Sequence, residues 1–179
     1  PDDYKPGDLV IPDVQVSSSD SSDEKSVREL IRPSLEKMLR DAKSADLDLV
    51  MNSGFRSYKA QSFYFNNYVK QSGLEAAKKF SAEPGHSEHQ TGLSFDLSYK
   101  DRSCYLETCF GQTEAGKWLA EHAHEYGFIL RYPEGKTDIT GYQYEPWHFR
   151  YVGKDVAKEI YEKKLTYEEY LQSLGLIAI

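Results

Sequence analysis

Two short segments, about fifty residues apart, carry the side chains of this chain that best suit a metal site, and they constrain its fold. The first is Gly85-His86-Ser87-Glu88-His89-Gln90-Thr91-Gly92-Leu93-Ser94-Phe95-Asp96, and the second is Glu145-Pro146-Trp147-His148. A catalytic zinc site needs three protein ligands, an open position for water and a carboxylate that acts on this water. The two segments offer all of these in His89, Asp96, His148 and Glu145. The fold must therefore bring them together.

Strand signals lie in or beside both segments. The runs Leu93–Leu97 and Trp147–Val152 each predict a strand. Gly92 allows the backbone to turn just before the first strand, so that His89 and the following aspartate can face one point. The second histidine would then come from a neighbouring strand, which holds metal ligands within the small tolerance that a metal requires.

The glutamate of the second segment needs a separate argument. Glu145 precedes His148 by three residues, and on a regular strand this spacing puts two side chains on opposite faces. Pro146 favours the start or the edge of a strand, because it cannot donate a ladder hydrogen bond. We therefore expect Glu145 to lie just before the regular strand, from where it can turn toward the metal water.

Helices and strands are mixed along the rest of the chain without a regular β-α-β alternation. Apolar residues with helical spacing cover about 26–45, and the helix either starts at Pro33, with the proline in its first turn, or is kinked there. Apolar spacing and end signals further predict a strand over 47–51, a helix from the cap Ser57 to Gln71, a short helix over 74–80, a helix from Thr113 to Tyr126, a strand over 128–132, a turn-rich loop over 133–141, and two helices within 154–174 that divide near Leu165-Thr166. This mixture predicts an α+β fold with a small, mainly antiparallel sheet flanked by helices.

The length of 179 residues suits one domain. Residues 1–25 are rich in Pro, Asp and Ser and predict an extended, partly flexible segment, which Leu9, Val10, Ile11 and Val14 could attach to the body. We expect residues 26–179 to form a single catalytic domain and the protein to be a monomer.

Charge and hydropathy exclude two classes of partner. The net charge of −7 leaves no basic stripe for nucleic acid, and no apolar run is long enough to insert into a membrane. The chain begins at Pro1 without a Met or a signal peptide, so we expect a trimmed fragment whose leader or anchor lies upstream. We expect the protein to be secreted or attached to the cell envelope.

The two cysteines and the other histidines are not needed for the predicted metal site. Cys104 and Cys109 lie in a polar loop, either as a small disulfide in an oxidising compartment, which we favour, or as free surface thiols. His122 and His124 cannot share a helix face and are expected at the surface. His86 is expected to be exposed rather than in contact with the metal ligands.

Three motifs in the expected order resemble one family. Ser87 to Asp96 resembles the SxHxxGxAxD pattern of zinc D-alanyl-D-alanine carboxypeptidases of the VanY and LdcB type, with Ser94 where the pattern usually has Ala. Glu145-Pro146-Trp147-His148 resembles their ExxH element, and Ser53-Gly54-Phe55-Arg56-Ser57 resembles their SG(Y/F)RS element. The runs 127–133 and 141–153 also look typical of VanY. The likeness covers about 27–171 and implies the D,D-peptidase or hedgehog-like fold, but it does not explain the cysteine loop, 100–112.

The resemblance implies a role for each matched residue. His89, Asp96 and His148 would bind one zinc ion, and Glu145 would be the catalytic base. Arg56 would stabilise the tetrahedral oxyanion or grip the free carboxylate of the substrate. Two polar residues, Gln61 and Ser87, are candidates for hydrogen bonds to the peptide, and Trp147 is either a groove wall or part of the core.

The function implied is a zinc carboxypeptidase that removes the C-terminal D-alanine from peptidoglycan stem peptides. D,D-cleavage of the pentapeptide is favoured, followed by L,D-cleavage of the tetrapeptide. Rival interpretations are a VanX-like dipeptidase, an endopeptidase, and a non-catalytic zinc module that binds wall peptides. The presence of Glu145 disfavours the binding module. A purely structural metal is disfavoured because such sites usually have four ligands rich in Cys.

Overall fold

The computed structural model describes residues 1–17 and 21–178. Within these ranges the strands are β1 (Leu9–Val10), β2 (Val27–Arg28), β3 (Leu49–Ser53), β4 (Ser94–Tyr99), β5 (Phe128–Leu130) and β6 (His148–Tyr151). The α-helices are α1 (Arg32–Ser44), α2 (Tyr58–Ser72), α3 (Leu74–Ala77), α4 (Glu114–His122), α5 (Thr137–Thr140), α6 (Lys154–Lys163) and α7 (Tyr167–Ser173). Short 3-10 helices cover Glu88–Thr91, Thr108–Gln112 and Ala123–Tyr126.

A four-stranded antiparallel sheet in the order β3-β4-β6-β5 forms the centre of the molecule. The predicted α+β class with a small antiparallel sheet is confirmed. The central pair, β4 and β6, comes from the two segments that the sequence singles out. Their register places Asp96 directly opposite His148.

The sheet is fixed by an aromatic core. Phe95 packs edge-on against Phe128 and is stacked with Phe149, and all three side chains are fully buried. Helix α1 adds Leu35 and Met38 to the same cluster. Burial of each large apolar side chain contributes roughly 1.5–3 kcal/mol, so this cluster holds the two central strands in place.

Of the two alternatives for the first helix, a start at Pro33 is confirmed and a kinked helix from about Ser26 is wrong. Val27–Arg28 instead form β2, which pairs with β1, and α1 begins at Arg32 with Pro33 in its first turn. The fixed φ of proline suits that position, where no backbone donor is needed. Pairing with the N-terminal segment therefore overrides a helical spacing of apolar residues.

The N-terminal segment is attached to the body at several points. Leu9 and Val10 pair with β2, Val14 and Val16 pack against the core, and Val16 bridges Met51. The expectation for Ile11 is wrong, because its side chain is 55% exposed. Part of the stretch predicted to be flexible, 18–20, lies outside the described residues, and the domain boundary at residue 26 stays a prediction.

The other elements lie close to their predicted positions, and α3, α4, β5 and β6 are shorter than predicted. The second helix has the expected Ser57 cap, whose side chain accepts from Ala60 N. The division between the last two helices is confirmed, since Thr166 and Glu169 form a capping box at the start of α7. The loop predicted over 133–141 contains the short helix α5, and the predicted helix over 113–126 ends as a 3-10 turn before Gly127.

Cys104 and Cys109 form a disulfide, as favoured from the sequence. His86 is exposed, as expected. The expectation of two surface histidines on the fourth helix is wrong in part. His124 is half-buried and stacks on Tyr161 at 3.8 Å between ring centroids, because α6 packs over this turn. No helix within the described ranges is both long and apolar enough to cross a bilayer.

Candidate active site

The three predicted metal ligands converge on one buried point. Asp96 and His148 face each other across the central strands, and His89 comes from the 3-10 turn that precedes β4. Gly92 ends this turn in the left-handed region with φ of 68°, where a side chain would be disfavoured. A Cβ there would also lie 2.9 Å from the Arg28 side chain. Both constraints explain the glycine.

The ligand atoms of these residues all lie within 4.8 Å of one another. His89 Nε2 is 3.4 Å from Asp96 Oδ2, and His148 Nδ1 is 3.3 Å from Asp96 Oδ1. All three residues are at least 95% buried. These distances between ligand atoms suit one zinc ion bound to all three residues, since its bonds to nitrogen and oxygen are about 2.0–2.2 Å long.

The far nitrogens of the two imidazoles have different surroundings. His89 Nδ1 lies 2.8 Å from the Gly54 carbonyl oxygen, which leaves Nε2 to face Asp96. His148 Nε2 faces Glu88 Oε2 at 3.7 Å, beyond hydrogen-bond distance, while its Nδ1 faces Asp96. A carbonyl or carboxylate behind the ring is the usual partner of a metal-binding histidine, and both rings have one on that side.

The donor set fits zinc. Among the described residues, Asp96 Oδ1 is buried and receives no well-directed hydrogen bond, although His148 Nδ1 lies 3.3 Å from it. Burial raises the pKa of Asp96, but His89 and His148 outweigh it and hold that pKa far below its usual range. A buried, ionised carboxylate that lacks a well-directed donor is suited to a cation. With two imidazole nitrogens beside it, the set has the nitrogen and oxygen ligands that zinc prefers.

Glu145 lies beside this point, just before β6 as expected. Its Oε2 is 3.7 Å from His148 Nδ1, and its side chain is 8% exposed. Burial raises the pKa of Glu145 to about 7, with Asp96 and Glu88 adding to the rise and His148 opposing it. A carboxylate with a pKa near neutrality can take up a proton and return it during one reaction cycle.

Arg56 lies next to Asp96 in the ligand set. Its guanidinium donates to Gln61 Oε1 at 3.1 Å and to Ser53 Oγ at 3.0 Å, and it lies 3.7 Å from Asp96 Oδ2. Its backbone N–H donates to the His89 carbonyl at 3.1 Å. These contacts fix a positive charge next to the metal point.

A cleft of about 280 Å³ opens over these residues. Its lining includes every residue that the sequence proposed for the site: Arg56, Gln61, Ser87, His89, Asp96, Glu145, Trp147 and His148. Two tyrosines, Tyr132 and Tyr142, form an aromatic part of the wall with ring centroids 4.6 Å apart.

Gln61 and Trp147 also have structural contacts. The Gln61 amide donates to Ser81 Oγ and to the Ala82 carbonyl, and its oxygen receives Arg56, so it joins the arginine to the opposite wall. Its direct contact with a peptide stays a prediction. Trp147 is 7% exposed and belongs to the main core as well as to the cleft lining, so both readings of this residue hold in part.

A family model described as VanY, D-alanyl-D-alanine carboxypeptidase, matches residues 24–154. The chain belongs to the VanY family. The resemblance seen in the three motifs is therefore confirmed, and the match includes all four residues of the predicted zinc and base set.

Relatives of this VanY-family chain differ in substrate. YodJ, a putative carboxypeptidase of Bacillus subtilis (strain 168), is 45% identical over 177 residues, which cover 99% of this chain and 65% of YodJ. The chain thus spans about two thirds of the length of that relative. A structure of the LdcB LD-carboxypeptidase is 46% identical with a TM-score of 0.89, covering 96% of this chain and 80% of that one. A mutant of the vancomycin resistance D,D-pentapeptidase VanY, in complex with Zn(II), is 32% identical with a TM-score of 0.74, covering 89% and 91%.

The sequence missed a buried charge network behind the site of this VanY-family chain. Glu88 Oε1 accepts from Arg131 Nε at 2.8 Å and lies 3.2 Å from Arg150 Nη1. Arg131 also binds Glu168 of α7 through both terminal nitrogens. Burial raises the pKa of Glu88, but His148 and the two arginines outweigh it and hold that pKa far below the usual range. A charged residue next to a ligand histidine, within the motif itself, is the signal that could have found Glu88.

Proposed function

We propose that this chain is a zinc-dependent carboxypeptidase that removes the C-terminal D-alanine from peptidoglycan stem peptides. One observation carries the proposal: His89, Asp96 and His148 form a buried set that could hold a metal ion, with Glu145 3.7 Å from His148 and Arg56 3.7 Å from Asp96, and all five line one cleft. Three ligands leave a position for water, as catalytic zinc sites do and closed structural sites do not.

Each residue of the site has its own role in the proposed reaction. When bound here, zinc supplies a water of lowered pKa and polarises the carbonyl that is attacked. Glu145 takes the proton from that water and delivers it to the departing amine. Arg56 offers a fixed positive charge to the oxyanion or forks onto the free carboxylate of the substrate. The contacts behind His89 and His148 keep the ligand nitrogens aimed at one point.

D,D-cleavage of the pentapeptide is the first candidate, because the matching family model is that of D-alanyl-D-alanine carboxypeptidases. A second candidate is L,D-cleavage of the tetrapeptide. It is favoured by the likeness to LdcB, which is greater in identity and TM-score than the likeness to VanY. The disulfide supports an extracytoplasmic location, where such bonds persist.

Incubation of the zinc-loaded protein with purified stem pentapeptide and tetrapeptide, followed by mass spectrometry, tests the proposal. Loss of one alanine from the pentapeptide alone supports D,D-cleavage, and loss from the tetrapeptide supports L,D-cleavage. Glu145→Gln is the matched control, because it keeps the shape of the side chain and removes the base. If neither peptide changes with either protein, the non-catalytic binding module replaces the proposal.

A further inference from the structure

The disulfide loop has a defined conformation that the family motifs leave unexplained. Arg102, Cys104 and Leu106 have φ of 61°, 51° and 51°, in the left-handed region that residues other than glycine rarely adopt. The Cys104–Cys109 bond closes the loop. Both Cys104 and Leu106 pack against the main core. Such conformations persist where the surrounding structure enforces them, and they cluster at functional sites.

Leu106 separates two cavities. It lines the metal cleft of about 280 Å³ and also a second cavity of about 320 Å³. Two further residues, Arg56 and Tyr68, line both spaces as well. These three side chains therefore form the partition between the metal cleft and the second cavity, and Leu106 is its aliphatic member.

The loop lies beside Arg56. Three of its residues, Arg102, Tyr105 and Leu106, line the second cavity together with Arg56. The Arg102 guanidinium lies over the Tyr105 ring at 3.9 Å from its centroid. The loop therefore forms the wall of the space next to the arginine of the metal cleft.

The second cavity is large and polar. Its walls include Asn52, Ser53, Tyr64 and Arg102. Its volume is about ten times the share of one liquid water molecule, so it can hold a side chain of several heavy atoms. A C-terminal residue with a long side chain could use this space if the partition were absent.

If the chain is a carboxypeptidase, as proposed above, the departing residue carries the free carboxylate, which Arg56 would receive. The side chain of that residue then lies beside the neighbours of Arg56. We propose that Leu106 is a specificity-determining residue that limits the departing residue to a small side chain, such as the methyl group of alanine. The disulfide holds Leu106 in that position.

The test compares two peptides that differ in the last residue alone, D-alanine or D-leucine, with wild type and Leu106→Ala. Wild type should strongly prefer D-alanine. Leu106→Ala should raise the ratio of kcat/KM for D-leucine to that for D-alanine at least tenfold, while zinc content stays unchanged. Leu93→Ala is the matched control, since Leu93 packs against the same core without lining either cavity, and it should leave the ratio unchanged.

A second variant keeps the experiment decisive if the alanine variant fails to fold. Glycine adopts a positive φ without cost from a Cβ, so Leu106→Gly should fold and should shift the ratio in the same direction. Cys104→Ser with Cys109→Ser should shift it less. An unchanged ratio in an active Leu106 variant overturns the inference about Leu106 alone. If wild type releases no D-amino acid from any peptide, the proposed function fails, and this inference fails with it.

Discussion

The far ring nitrogen of His148 faces a carboxylate, with Nε2 at 3.7 Å from Glu88 Oε2. Because Asp96 lies 3.3 Å from the other nitrogen, the imidazole stands between two acidic groups. Glu88 is itself held by Arg131 and Arg150, so it cannot turn away from the ring. The surroundings of one predicted metal ligand thus include residues from β4, from β6, from the 3-10 turn before β4 and from the segment after β5.

Glu88→Gln should weaken zinc binding. The amide keeps the shape but loses the charge that orients His148, and loss of such a partner typically costs 10–100-fold in affinity. Competition with a chromophoric chelator measures the change. Glu83→Gln on the same segment is the control, since Glu83 is half-exposed and paired with Lys78. Lower unfolding stability with unchanged zinc affinity would show that Glu88 serves the fold alone.

Zinc binding should release a proton from His148. In the metal-free protein burial lowers the pKa of His148, but Asp96 and Glu88 outweigh it and raise the pKa to about 9. A ligand imidazole must be neutral, so zinc affinity should rise roughly tenfold per pH unit up to about pH 9. Calorimetry in buffers of different ionisation enthalpy should detect about one proton released at neutral pH. Affinity that is flat between pH 6 and 8 contradicts this.

The same raised pKa has an effect on the metal-free fold. A proton held more tightly in the folded state stabilises it, and this contribution is fully present below about pH 6.5, the unfolded value. It is lost as the pH rises through about 9. The urea concentration at the unfolding midpoint of the metal-free protein should therefore fall between about pH 6.5 and about pH 9. The part of this fall that comes from His148 should be missing in His148→Gln.

Gly54→Ala should disturb both the fold and the zinc site. An added Cβ would lie 2.2 Å from the Ser26 carbonyl oxygen, so the backbone must move. The carbonyl of Gly54 is also the partner of His89 Nδ1. We expect a loss of about 1–3 kcal/mol in unfolding free energy, together with weaker zinc binding. Gly7→Ala is the control, because a Cβ there meets no atom within 4 Å.

Arg56→Lys should reduce turnover of peptides with a free carboxylate. Lysine keeps the charge but cannot fork onto a carboxylate or hold Gln61 and Ser53 at once. We expect a fall in kcat/KM of about 100-fold, by analogy with the loss of one oxyanion donor. Steady-state kinetics on free and amidated peptides separate the roles. If wild type cleaves both equally, Arg56 does not serve as a carboxylate clamp.

The convergence of His89, Asp96 and His148 on one point could be predicted because each lies in a motif whose residue types suit a metal, although the two motifs are about fifty residues apart. Their role as zinc ligands stays a prediction. The place of Glu88 could not be predicted, since its burial depends on Arg131 and Arg150, which come near it after β5 and β6 pair. The sequence left the start of the first helix open between about Ser26 and Pro33 for a similar reason. Val27 has a helical spacing with Ile31, but β1 offers it a strand partner from the N-terminal segment. In each case a distant contact decided what the local pattern left open.

The register that sets Asp96 opposite His148 also affects how the site forms in time. The central strands are distant in sequence, and contacts of this kind form late in folding because a long loop must first close. The unfolded chain therefore has no preformed zinc site, and the binding energy of the ion becomes folding energy. During refolding, the uptake of zinc would mark the moment at which the two halves of the chain meet.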